Sequence, residues 1–119
     1  MPSEKNIRVL IADDEKSVRD FLSRFFGLGR IDVTCVETGV AAIEAAQKQK
    51  FDLVFLDVRM PGIDGLETYR RLKQTLPDAR YVMMTGYAVD EVLEQAKQEG
   101  VFACIKKPFE IGQLHMLLE

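Results

Sequence analysis

One run limits the folds open to this chain more than any other. Leu53-Val54-Phe55-Leu56 leads straight into Asp57, and Pro61-Gly62 breaks the backbone soon after. An apolar run this short, with no polar residue alternating through it, reads as a strand buried on both faces. Such a strand belongs to a parallel sheet sandwiched between helices. Asp57 then becomes the first residue to leave the strand, at its carboxyl end, where open α/β sheets bind ligands. A carboxylate at the mouth of a buried strand is costly unless something compensates it.

The rest of the chain repeats that unit. Ile7 to Ala12 is apolar apart from Arg8 and runs into Asp13-Asp14-Glu15; a helix follows with Val18, Phe21, Leu22, Phe25 and Phe26 at helical spacing, stopped by Gly27 and Gly29. Ile31 to Val36 alternates, with Ile31, Val33 and Cys35 set against Asp32 and Thr34, which predicts an edge strand. Thr38-Gly39 opens a second helix with Val40, Ile43 and Ala46 inward, closing on the cationic end Gln47-Lys48-Gln49-Lys50. A third helix runs from about Leu66 to Gln74, with Leu66, Tyr69 and Leu72 inward, and Pro77-Asp78 marks a break. Tyr81 to Met84 reads as a strand ending in Thr85-Gly86, and a fourth helix carries Val89, Val92, Leu93 and Ala96 up to Gly100. Val101 to Ile105 reads as the last strand, ending in Lys106-Lys107-Pro108, and a final helix begins near Glu110 with Ile111, Leu114, Leu117 and Leu118 apolar. Five strand–helix pairs with short connections predict an α/β fold, a flavodoxin-like (βα)5 doubly wound domain on a five-stranded parallel sheet in the order 2-1-3-4-5.

Length and charge narrow the function. The 119 residues suit one domain, 1–119, and the last helix stops while its apolar pattern is still running, which predicts the N-terminal part of a longer chain. A net charge of -3 speaks against direct nucleic-acid binding by this segment. No apolar run approaches membrane-spanning length and the N-terminus has no signal-peptide core, so a cytoplasmic setting with free thiols is expected. Cys35 and Cys104 fall on strands at opposite edges of the expected sheet. Four strand spacings of about 4.8 Å put them roughly 19 Å apart, against the roughly 7 Å a disulfide tolerates.

In the order 2-1-3-4-5, strands 1 and 3 flank the crevice where the chain reverses its winding. Strand 1 delivers Asp13 and Asp14 there, strand 3 Asp57, strand 4 Thr85 and strand 5 Lys107. Two carboxylates about 4 Å apart repel by on the order of 4 kcal/mol at an effective dielectric near 20. One lysine cannot offset three acids, but a divalent cation can. Oxygen ligands without His or Cys suit Mg²⁺, which commonly takes one or two carboxylates and a phosphate oxygen. Held by the cation and Lys107, a phosphoryl group would face Asp57, and a carboxylate can act as its nucleophile. Thr85 can donate to another phosphoryl oxygen. The bland readings are few: Glu15 and Asp20 suit a solvated helix start, Arg70, Arg71, Lys73 and Lys106 a solvated surface, His115 a terminal helix, and Met83 and Met84 the core.

The set Asp13-Asp14, Asp57, Thr85 and Lys107-Pro108, with Asp57 to Gly65 as the phosphoacceptor motif, resembles the response-regulator receiver domain of two-component signalling from Ile7 to the final helix. The resemblance implies that Asp57 accepts phosphate from a sensor histidine kinase or a small acyl phosphate. It also implies that Asp14 ligates Mg²⁺ directly, Asp13 through water and Arg59 through its backbone carbonyl. Lys107 would pair with the phosphoryl group, its bond to Pro108 would be cis, and Thr85 would move toward the phosphate. The implied output is a switch of the helix 4/strand 5/helix 5 face toward an effector domain or protein, or a homodimer. One position departs from the family: Cys104 stands where strand 5 usually carries an aromatic residue. Tyr87, two residues past Thr85, is the candidate to supply the mobile ring, and Phe102 shares the face of Cys104 by strand parity. Three other functions stay open. A phosphatase working through an aspartyl-phosphate would need a general acid where Arg59 stands. A flavin or nucleotide module would need a phosphate cradle where Asp13-Asp14-Glu15 stands. A pseudo-receiver would keep the fold as a docking surface only.

Overall fold

A computed structural model describes residues 7–27, 31–86, 90–108 and 111–118. Five strands, β1 (Ile7–Ala12), β2 (Ile31–Val36), β3 (Leu53–Asp57), β4 (Arg80–Thr85) and β5 (Ala103–Lys106), alternate with five helices, α1 (Lys16–Phe26), α2 (Gly39–Lys48), α3 (Gly65–Thr75), α4 (Asp90–Gln98) and α5 (Ile111–Leu118). All strand pairs are parallel, in the order β2-β1-β3-β4-β5. The sheet is the doubly wound, flavodoxin-like one that the apolar run of β3 demands.

Strand parity divides the core in two. Val9, Ile11, Leu53, Phe55, Val82, Met84 and Ile105 face Leu22 and Phe26 of α1 and Leu114 of α5. Leu10, Ala12, Val54, Leu56 and Met83 face Ala42 and Ala46 of α2, Tyr69 and Leu72 of α3 and Ala96 of α4. Every residue of β3 is buried, because both parities meet a helix layer. At about 1.5–3 kcal/mol for each fully buried large apolar side chain, these two layers hold the strand ends in register. β2 at the edge is only partly covered, as its alternation predicts. Among the described residues, the starts of α2 and α3 are capped from the side chain: Thr38 Oγ1 accepts from Ala41 N at 3.1 Å and Asp64 Oδ1 from Glu67 N at 2.9 Å.

The structure corrects the sequence expectations for α2 and for the last strand. Val40 points outward at 52% exposed, and the buried positions of α2 are Gly39, Ala42 and Ala46. The cause is the close approach of α2 to α3: a Cβ at Gly39 would collide with Thr68 Oγ1 and Ile63. The last strand starts at Ala103, not Val101, because Val101 N still bonds Ala96 O and so belongs to the closure of α4. Phe102 therefore lies before the strand, half exposed, with the Arg80 guanidinium over its ring at 4.6 Å. Cys104 is half-buried against the α2–α4 layer and Cys35 is exposed, both as free thiols on opposite edge strands. The expectations for Tyr87, Val89, Glu110, and the side chains of Ile111, His115, Leu117 and Leu118 lie outside the described residues. Among the described residues no helix is long and apolar enough to cross a membrane.

Candidate functional site

The strand ends are drawn together by backbone bonds that continue the ladder past the strands. Asp13 N donates to Val36 O at 3.1 Å, Val58 N to Met84 O at 2.9 Å and Lys107 N to Thr85 O at 2.8 Å. Each bond fixes the direction in which the next side chain leaves the sheet. Asp57 is the last residue of β3 rather than the first beyond it, and it is 5% exposed. Asp13 is fully buried, Thr85 is buried and Asp14 is exposed.

Asp13 and Asp57 are both held locally. Asp13 Oδ1 accepts from Glu15 N at 2.9 Å, and Arg19 Nη1 donates to Asp13 O at 2.9 Å. Asp57 Oδ1 accepts from Arg59 N at 3.2 Å. Behind Asp57 the chain turns into α3 at Gly65, whose N donates to Val58 O at 3.0 Å. A Cβ at Gly65 would strike the Asp57 carbonyl oxygen, so only glycine lets α3 begin this close to the β3 exit.

Lys107 reaches from the end of β5 past Asp57 and across the switch point to Asp13 and Glu15. Its Nζ lies 2.7 Å from Asp13 Oδ2, 2.9 Å from Glu15 Oε1 and 3.3 Å from Asp57 Oδ2. The contact with Asp13 is an ion pair, and Asp13 Oδ2 has no hydrogen bond beside it. The Lys107–Pro108 bond is cis. Burial pushes the Asp57 carboxyl up to about 6, and the Asp13 charge adds to that against the pull of Lys107. Burial pulls the Lys107 ammonium down, but its contacts to Asp13 and Glu15 and the charges of Asp13 and Asp57 outweigh this and hold it above its ordinary value.

Carboxylate oxygens of Asp13, Asp14 and Asp57 all lie within 4.8 Å of one another. An oxygen-only donor set, two of the acids buried, one opening to solvent and one oxygen lacking a hydrogen bond, fits a hard divalent cation. Thr85 stands one residue past the Asp57–Met84 pair in the β3–β4 register. The structure thus brings Asp13, Asp14, Asp57 and Lys107 into one crevice, with Arg59 bound through its backbone to Asp57.

Two residues of this crevice escape the sequence. Glu15 reads as a solvated helix start, yet its carboxylate reaches Lys107; nothing local announces a contact across 92 positions. Gly65 reads as the close of a motif, and its close approach is visible only once α3 is placed. Lys106 is exposed as expected. Arg70, Arg71 and Lys73 are on the surface but engaged: Arg71 pairs with Glu67 at 2.9 Å, while Arg70 and Lys73 hold Glu99.

The family model of the response regulator receiver domain matches residues 9–119. The chain is 30% identical over 109 residues to sporulation initiation phosphotransferase F of Bacillus subtilis, spanning 92% of this chain and 88% of that protein. It is 32% identical over 111 residues to the DNA-binding transcriptional regulator NtrC of Escherichia coli, but these residues span 93% of this chain and only 24% of NtrC. A solved response regulator protein from Burkholderia pseudomallei, described with a phosphorylated aspartic acid, calcium ion and citrate, superposes with a TM-score of 0.87 at 25% identity, over 95% of this chain and 66% of that one.

Proposed function

The chain belongs to the response regulator receiver domain family of two-component signalling, and from that premise we propose that it takes a phosphoryl group on Asp57 and relays the event through its α4–β5–α5 face. Residues 1–119 then form one receiver domain. The observation that carries this reading is the reach of Lys107 past Asp57 and across the switch point to Asp13, over a carboxylate trio.

Asp14 and Asp57 through their carboxylates, Asp13 through water and Arg59 through its backbone carbonyl would hold Mg²⁺. When bound, the ion supplies positive charge to phosphoryl oxygens and to the crowded acids. An ionised Asp57 oxygen attacks the phosphorus of a phosphohistidine on a sensor histidine kinase, or of a small acyl phosphate. The new O–P bond forms as the bond to the leaving group breaks, and the electron pair departs with the imidazole or the carboxylate. Lys107 pairs with the phosphoryl group and Thr85 donates to another of its oxygens. Receiver domains are signalling domains, and here the chemistry ends on the protein itself.

The added charge of one to two units must bias a two-state element. Moving a switch from 1:99 to 99:1 takes about 5.5 kcal/mol. Charge-assisted contacts from Thr85 and Lys107 at about 1.5–3 kcal/mol each supply much of that. With Cys104 at the usual aromatic position, Tyr87 is the ring that moves with Thr85. The switched face serves an effector domain or protein, or a second copy of the domain, in the cytoplasm, and nucleic-acid binding falls to another part of such a system. The test is incubation with acetyl phosphate, with and without Mg²⁺, followed by intact mass and peptide mapping. A Mg²⁺-dependent phosphoryl adduct on the Asp57 peptide is expected. Its absence, or its appearance on another residue, overturns the reading.

A further inference from the structure

We propose that Glu15 is a positioning residue that holds the Lys107 ammonium in the unphosphorylated domain and gives it up to the incoming phosphoryl group. The inference rests on the phosphoacceptor reading of Asp57. An ammonium has three donors, and three carboxylates surround that of Lys107: Glu15 and Asp57 accept hydrogen bonds from it, and Asp13 pairs with it at 2.7 Å. To reach a phosphoryl oxygen on Asp57, Lys107 has to leave one partner. Asp13 is fully buried and tied at its other oxygen by Glu15 N, so it cannot swing away. Asp57 carries the new group. Glu15 is the partner free to go: its side chain is 57% exposed and is engaged in no cap bond, although it stands at the N-cap of α1.

The contact therefore stabilises the unmodified state and opposes each phosphorylation. Hydrolysis reverses the exchange. Water attacks phosphorus, the bond to Asp57 breaks, inorganic phosphate leaves, and Lys107 returns to Glu15. Because the Glu15 carboxylate is exposed, the contact is worth little in energy, and the expected effect of removing it is roughly two- to fivefold in rate.

Three variants separate the lysine contact from local charge. Glu15→Ala removes both, and Glu15→Gln removes the charge and leaves only a weaker, neutral acceptor for the lysine. Glu15→Asp keeps the charge but draws the carboxylate one methylene back and offers it to the free N–H groups of α1, where aspartate is a favoured cap. The full chain is treated with acetyl phosphate and Mg²⁺, and the rate of gain of the Asp57 adduct is followed by intact mass, with its rate of loss after donor removal. Labelling about two- to fivefold faster in all three variants, Glu15→Asp included, and a slower loss of label, support the proposal. Glu15→Asp at the wild-type rate would mean that charge alone matters, and three wild-type rates would mean that the contact is inert; either overturns it. If wild type takes no label on Asp57, the phosphoacceptor reading fails first and this inference falls with it.

Discussion

Two acid–base clusters in this molecule put carboxylates to opposite ends. At the carboxyl ends of the strands, the carboxylates of Asp13, Asp14 and Asp57, with Glu15 at the rim, meet one ammonium in a crevice where Asp57 is pushed up to about 6 and Asp13 Oδ2 has no hydrogen bond beside its ion pair. At the turn from α4 into β5, one carboxylate is surrounded by donors. Arg70 grips Glu99 with Nε and Nη2 at 2.8 and 2.7 Å, and Gln95 adds a bond at 2.8 Å. Tyr69 Oη and Lys73 Nζ both donate to the Glu99 carbonyl oxygen, at 2.6 and 2.9 Å, beside Gly100 with its φ of +104°. Hydrogen bonds from Arg70, then Gln95, hold Glu99 down at about 2. The second cluster is complete and ties α3 to the end of α4. The first carries excess negative charge in a buried place, which is a cost to folding that a cation or a phosphoryl group can relieve. The direction in which an acid is shifted separates the tie from the site.

The largest expected effect is on chemistry. Asp57→Asn should take no label from acetyl phosphate, while Glu99→Gln should label at the wild-type rate; a labelled Asp57→Asn would break the division. Next comes Gly65→Ala. Its methyl meets the Asp57 carbonyl, which is backbone and cannot yield cheaply. Overpacking of this kind costs about 1–3 kcal/mol. Urea unfolding should show that loss together with slower labelling, and an unchanged pair of values would mean that α3 starts further from β3 than described.

Acid should act on the two clusters with opposite sign. Asp57 has a raised folded-state pKa, so its contribution to stability is fully present below about pH 3.8 and is lost as the pH rises through about 6. Glu99 has a lowered one, so its contribution is present above about 4.5 and is lost as the pH falls toward about 2. In metal-free buffer, the Tm should therefore rise as the pH drops from 7 to 5, and Asp57→Asn should flatten that rise. Glu99→Gln should leave the rise intact and show the smallest effect of all, a slight fall in Tm at pH 7.

The buried half of this fold was legible because the strands announce themselves. The runs Ile7–Ala12 and Leu53–Asp57 end on acids, and a backbone break or a helix start follows each at once. Those patterns put Asp13, Asp14, Asp57, Thr85 and Lys107 at strand ends. What stayed hidden depends on distances between elements. Val40 looked inward by period, but α2 packs so close to α3 that only Gly39, Ala42 and Ala46 fit the contact. Phe102 looked like a strand residue, but the closure of α4 holds Val101 back and delays β5. Glu15 reads in the sequence as a solvated helix start, and Glu99 carries no motif. Only the fold shows that one reaches into the site and the other locks a turn.

The central claim is that Asp57 is held charged at a cost in this crevice. Urea unfolding of wild type and Asp57→Asn at pH 7 in a chelator, repeated with Mg²⁺, tests it most directly. Without metal, Asp57→Asn should be the more stable by on the order of 2 kcal/mol, and Mg²⁺ should stabilise wild type while leaving the variant nearly unmoved. A variant no more stable than wild type without metal, or stabilised equally by Mg²⁺, would contradict it.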